Sequence, residues 1–187
     1  MQKFLFVFLF ITFFVSTKIS AQGRTAYDEL LKAINEGNSN TNSINLDYLT
    51  SNFLQEEIRK IESLSVSELN KIKGVYIYSR RTYIPQQIDS LFSKLYSKTQ
   101  DSSDLQIAYF FNVGITKLPN SLTKFSNIKH LNFTFNPISD SKLFFNQLDS
   151  CRNLETLIVS NCKFNEVTDK IGNLKKLEKL VFCYSNK

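Results

Sequence analysis

Histidine occurs once in this chain and cysteine three times, and they do not cluster. Without a C-x-x-C pair or a Cys/His group at ligand spacing, nothing marks a zinc site. The single histidine, His130, has no Cys, Asp or Glu at ligand spacing and reads as a contact or a bystander. No Ser/His/Asp or Cys/His arrangement can be placed, and no paired carboxylates share a strand face. The five glycines are scattered, so no loop is built to cradle phosphate. The sequence therefore gives no support for an enzyme, a metal site or a cofactor.

Long apolar runs are also scarce. The one clear case follows Met1-Gln2-Lys3: Phe4 to Val15 is broken only by Thr12, and small residues lead out to Gln22. A basic start, an apolar run and a small-residue exit describe a signal peptide over residues 1–22, cleaved after Ala21 or Gln22. The run is short for a membrane span, although an uncleaved anchor is the alternative. Export to the periplasm, the cell surface or the medium follows, with no transmembrane span after cleavage. The Phe-rich run and the Ser20-Ala21-Gln22 exit resemble exported bacterial proteins.

What the chain does have is a spacing that repeats four times. Leu105-x-x-Ala108-x-Phe110-x-x-Val113-x-Ile115 is the first copy, and Ile128-x-x-Leu131-x-Phe133-x-x-Asn136-x-Ile138 the second. Leu154-x-x-Leu157-x-Val159-x-x-Cys162-x-Phe164 and Leu177-x-x-Leu180-x-Phe182-x-x-Ser185-x-Lys187 complete the set. The copies begin 23, 26 and 23 residues apart. At positions one, four, six and eleven only Lys187 is not apolar, whereas composition alone would make roughly half of those sites apolar. Self-similarity at this period means a solenoid, each coil burying its apolar edge against the next. Between copies, Leu118-Pro119-x-x-Leu122-x-x-Phe125 and Val167-x-x-x-Ile171-x-x-Leu174 suit brief helical or 3₁₀ turns.

"IKHLNFTFNPI", "LETLIVSNCKF" and "ITKLPNSLTKF" resemble the leucine-rich-repeat pattern L-x-x-L-x-L-x-x-N/C-x-L followed by L-P-x-x-L-x-x-L, across residues 105–187. The resemblance implies an α/β solenoid: a parallel concave sheet, short helical or 3₁₀ segments on the convex side, and an N-terminal helical cap. The second copy departs by an insert around Ser139–Phe145. The ninth position holds Asn136 and Cys162, but Val113 and Ser185 elsewhere. In the family the inward Asn satisfies backbone groups at the corner, which a valine cannot do, so the Val113 corner is expected to be looser or water-satisfied.

Upstream, residues 23–70 form the expected helical cap region. "TAYDELLKAINE" (25–36) reads as an amphipathic helix ending at Gly37, and "GNSNTNSIN" as a polar loop. Leu46 to Leu64 shows helical spacing, and Ser65–Lys73 another helical turn. Residues 71–104 read as a degenerate repeat: Val75 and Ile77 as strand, Ile84-Pro85, Ile88 and Leu91 as the turn segment, "SKTQDSSD" as a loop insertion. With residues 105–187 these make a repeat array over 71–187. The fourth strand, about Leu177–Tyr184, has no cap after it. That leaves either a fragment of a longer array or an edge that self-associates.

Cleavage would remove Lys3 and Lys18 from the 23 basic residues and leave the 17 acidic ones, a mild excess. Lys117, Lys124, Lys129, Lys175 and Lys176 fall mostly between strands, with no basic run interleaved with aromatics, so nucleic acid is not an expected partner. Cys162 is expected in the core, Cys183 as an exposed thiol, and Cys151 just before the third strand, too divergent to bridge.

Alternation along each strand puts positions three, five, seven and eight on the concave face. The candidate ligand residues are Tyr109, Phe111, Asn112, His130, Asn132, Phe135, Thr156, Ile158, Asn161, Lys179 and Tyr184. An aromatic and polar face with one charge suits a protein or peptide ligand. The alternative is a structural or adhesive fragment of a longer array.

Overall fold

The computed structural model describes residues 42–46, 51–78, 85–100, 103–164 and 166–182. The signal segment, the 25–36 helix, Leu49, Ile84, Cys183, Tyr184 and Lys187 lie outside them. Six strands form one parallel sheet in chain order: β1 (Asn42–Leu46), β2 (Ile72–Tyr78), β3 (Ile107–Phe111), β4 (His130–Asn132), β5 (Thr156–Ile158) and β6 (Lys179–Val181). Each crossover carries a helix or 3₁₀ turn: α1 (Ser51–Ser63) and α2 (Val66–Leu69), α3 (Pro85–Thr99), 3₁₀ Leu122–Lys124, α4 (Ser141–Leu148) and 3₁₀ Asp169–Asn173. One strand per repeat, in sequence order, with the helical segments opposite, is the leucine-rich-repeat solenoid.

The strand register is the register of the repeat. Ile107, His130, Thr156 and Lys179 lie side by side; so do Ala108, Leu131, Leu157 and Leu180; so do Tyr109, Asn132, Ile158 and Val181. Positions one, four and six point inward: Leu105, Ile128, Leu131, Leu154 and Leu157 are fully buried. Position six stacks ring on ring between coils, Phe110 on Phe133 at 5.1 Å. Phe144 of α4 reaches both Phe133 and Phe164, at 5.1 and 5.6 Å. Such pairs add about 0.5–1.5 kcal/mol each beyond burial.

The longer second repeat is explained by α4. Its extra residues make an α-helix where neighbouring coils use 3₁₀ turns, and Asp140 caps it by accepting the Leu143 N–H at 2.8 Å. Phe144, Phe145 and Leu148 then fill the core.

Several upstream elements differ from their expectation. The "GNSNTNSIN" loop ends in a strand: Ser43 and Asn45 alternate with Ile44, which pairs with Val75 and packs on the core. Leu46 belongs to that strand too, opposite Ile77, so the helix expected from Leu46 begins at Ser51. The cap region is thus not purely helical. A two-residue apolar alternation inside a run of Asn and Ser is too short to outweigh its surroundings in a window reading. Likewise the helical turn expected over Ser65–Lys73 ends at Leu69, and β2 starts at Ile72. The turn is set by a capping box: Ser65 Oγ accepts the Glu68 N–H, while a Glu68 carboxylate oxygen accepts the Ser65 N–H at 2.8 Å. "SKTQDSSD" is not wholly a loop, because α3 runs on to Thr99. Ile88, Leu91, Phe92 and Leu95 bury one face of α3 completely, and Pro85 occupies its first position.

Lys98, near the end of α3, closes the end of α1. Its Nζ donates to the carbonyls of Glu62 and Leu64, both at 2.7 Å, and of Ile61 at 3.2 Å. These are terminal acceptors that a helix leaves unpaired. Further along the array, in the segments leading into the strands, Asn127 Nδ2 donates to the Ser103 carbonyl and Asn153 Nδ2 to that of Ser126, each one coil back.

The corner at Val113 is not loose. The next coil supplies what valine lacks: Asn136 Oδ1 accepts the N–H of Val113 at 3.2 Å and of Ile115 at 3.1 Å. Asn136 Nδ2 donates to the carbonyls of Phe110 at 2.8 Å and Phe133 at 3.0 Å. The expectation failed because the inward Asn serves the coil before it as well as its own.

Candidate functional site

Three rows of side chains cross the concave face. The first runs Gly74, Ile107, His130, Thr156, Lys179; the second Tyr76, Tyr109, Asn132, Ile158, Val181; the third begins Tyr78, Phe111. The β2 members escaped the sequence reading because residues 71–104 were treated as a degenerate coil. The available signal was Tyr76 and Tyr78 alternating with buried Val75 and Ile77.

Gly74 shapes the N-terminal side of this face. A Cβ there would lie 2.6 Å from the Tyr76 ring, so the missing side chain is what lets Tyr76 fold down over its own strand. Tyr76 then meets Tyr109 edge to face at 5.3 Å, and burial raises the Tyr76 phenol above its usual pKa. Alongside, Tyr78 and Phe111 stack at 5.0 Å with 23° between planes. Phe135 meets Phe111 edge to face at 5.2 Å.

The expected ligand residues divide by exposure. Tyr109, Asn132 and Ile158 are buried and form a floor. Asn132 serves the fold itself, since its Oδ1 accepts both the N–H and the hydroxyl of Thr134, at 2.9 and 2.6 Å. Reading it as a ligand contact is corrected on that ground. Phe111, Asn112, His130, Thr156 and Asn161 are half-buried, Lys179 is exposed, and Phe135 is 48% exposed. Tyr184 lies outside the described residues.

Position eight carries an unusual backbone. Asn112, Phe135 and Asn161 all sit in the left-handed region, with φ of 54°, 60° and 54°. Asparagine tolerates that conformation; for a phenylalanine it costs on the order of 1 kcal/mol.

The electrostatics of the face are sparse. Lys129 and Glu155 pair at 2.9 Å beside His130. Burial lowers the His130 pKa below its ordinary value; Glu155 partly offsets this, and Lys129 adds to the lowering. Lys179 is the one charged residue in the first two rows, and no described carboxylate pairs with it. Among the described residues no three His, Cys, Asp or Glu side chains gather at metal-binding distance. No described helix is long and apolar enough to cross a membrane. Chemically, the face can stack and hydrogen-bond.

No family model matches the sequence, and neither does any curated protein. Solved structures similar to it include two bacterial ones. One is internalin C2 from Listeria monocytogenes, at 20% identity and a TM-score of 0.43, covering 63% of this chain and 54% of that one. The other is a leucine-rich-repeat protein of Leptospira interrogans, at 16% identity and a TM-score of 0.44, covering 75% of this chain and 36% of that one. This chain thus spans about half the length of the first and about a third of the second.

Proposed function

We propose that this chain is an exported binding module that recognises a protein or peptide through its concave sheet. Residues 1–22 direct export, the 23–70 region caps the array, and residues 71–187 form it. The observation that carries the reading is Phe135. A large apolar ring stands exposed at the turn just past β4, beside Phe111 of the sheet, and its own N–H is tied to the Ser160 carbonyl of the next coil. Rigid aromatic side chains lose little entropy on contact and act as interface anchors.

The test is panning of the full chain against a displayed library of random dodecapeptides, followed by amide hydrogen exchange with the selected peptides. The expected result is enrichment, with added protection along the face from β3 to β6. No enrichment over bare resin, or protection confined to α3 and α4, would overturn the proposal.

A further inference from the structure

The three equivalent corners make an internal comparison. Asn112 donates its N–H to the Thr134 carbonyl at 3.1 Å, and Phe135 donates its own to the Ser160 carbonyl at 3.0 Å. The fold therefore asks the same backbone service of both. Asparagine supplies it at residue 112, in a conformation that suits it and that Asn161 shares. At residue 135 a phenylalanine supplies it in a conformation that does not, and exposes its ring as well. That ring is not part of the buried core, and its aromatic partner among the described residues is Phe111. Strain and exposure meeting at one residue indicate a role outside folding.

The geometry points to an extended acidic peptide as the occupant, with a large apolar side chain seated on Phe135 and a carboxylate on Lys179. This deepens, and rests on, the concave-face reading above. A sugar is usually held by several ring faces, whereas Tyr78 and Phe111 are turned to each other and leave Phe135 as the one exposed ring among the described aromatics here. A nucleic acid needs several cations along its backbone, and the first two rows offer only Lys179. A peptide needs scattered polar partners, which the half-buried His130, Thr156 and Asn161 provide. The cation without a described partner selects a negative group. Lys179 lies two strands beyond the Phe135 coil and five repeat positions nearer the strand start. At usual sheet spacings that separation is about 15–20 Å, or five or six residues of extended peptide.

The test uses the peptides selected on the full chain, with binding read by fluorescence anisotropy. They should carry an aromatic or large aliphatic residue, with Asp or Glu about five or six residues away. Phe135→Asn should weaken them at least about tenfold, while its urea midpoint rises, showing that the variant is folded and relieved of strain. Lys179→Gln should weaken them less and remove most of the salt dependence. Peptides that protect the face yet bind Phe135→Asn unchanged would overturn the anchor and leave the concave-face reading standing. Binding of a neutral glucan in place of peptides would overturn the peptide assignment. Failure of the panning itself would remove both readings.

Discussion

Cys162 stands to the third clear coil as Asn136 stands to the second. Asn136 Nδ2 donates to the Phe110 carbonyl at 2.8 Å, and Cys162 Sγ donates to the Phe133 carbonyl, one coil on, at 3.3 Å. The two are not equal, because the amide also accepts two N–H groups that would otherwise be buried and unpaired. Asn136→Ala should destabilise by about 3 kcal/mol or more. Cys162→Ala, losing a weak donor and little volume, should cost about 1 kcal/mol. Urea midpoints at unchanged slope measure both; equal losses would refute the ranking.

Lys98 should matter beyond its charge. Replacing it by Met leaves three carbonyls at the end of α1 without their shared donor. The expected loss is about 1–2 kcal/mol, with faster amide exchange in the last turn of α1. Exchange unchanged there would mean that water replaces the ammonium without loss.

The thiols at Cys151 and Cys162 should be inert in the native chain. Burial pushes them up to about 11 and about 12, so thiolate at pH 8 is about one part in a thousand or less. A thiol reagent followed by peptide mass mapping should leave both unlabelled until denaturant is added. Labelling at native-state rates matching a free thiol would show the third coil opening readily.

His130 should make stability fall on acidification. Its folded pKa lies below the unfolded value of 6.5, so as pH drops through that value the unfolded chain binds the proton first. The contribution is neutral above about pH 7 and turns unfavourable as pH falls towards the folded pKa. His130→Asn should flatten Tm against pH across that window; an unchanged slope would assign the acid sensitivity to the carboxylates.

The array was legible where the apolar pattern is long and repeated. Four copies set the register of Leu131 with Leu157 and Leu180, and the structure keeps it. β1 was not legible, because Ile44 acquires meaning only beside Val75, and pairing between strands is tertiary information. The concave set was legible as directions, not as exposures. Nothing local says that Asn132 turns its oxygen onto Thr134, or that Phe135 is left half exposed. Nor did the ninth-position rule show whose corner Asn136 serves.

The asparagines that join the coils reach the same way. Asn136 answers to Val113 and Phe110, Asn127 to Ser103, and Asn153 to Ser126, always from the later coil to the earlier. For these amides the service runs one way, while the backbone ladder and the Asp89 carboxylate, which accepts the Ser121 N–H of the following coil, tie the coils in the other sense. The corner amides are thus supplied by the successor, so shortening from the C-terminal side strips the N–H groups of Val113 and Ile115 of their acceptor, a loss specific to that direction. The chain emerges from synthesis in the order that leaves the Val113 corner waiting for the coil that carries Asn136.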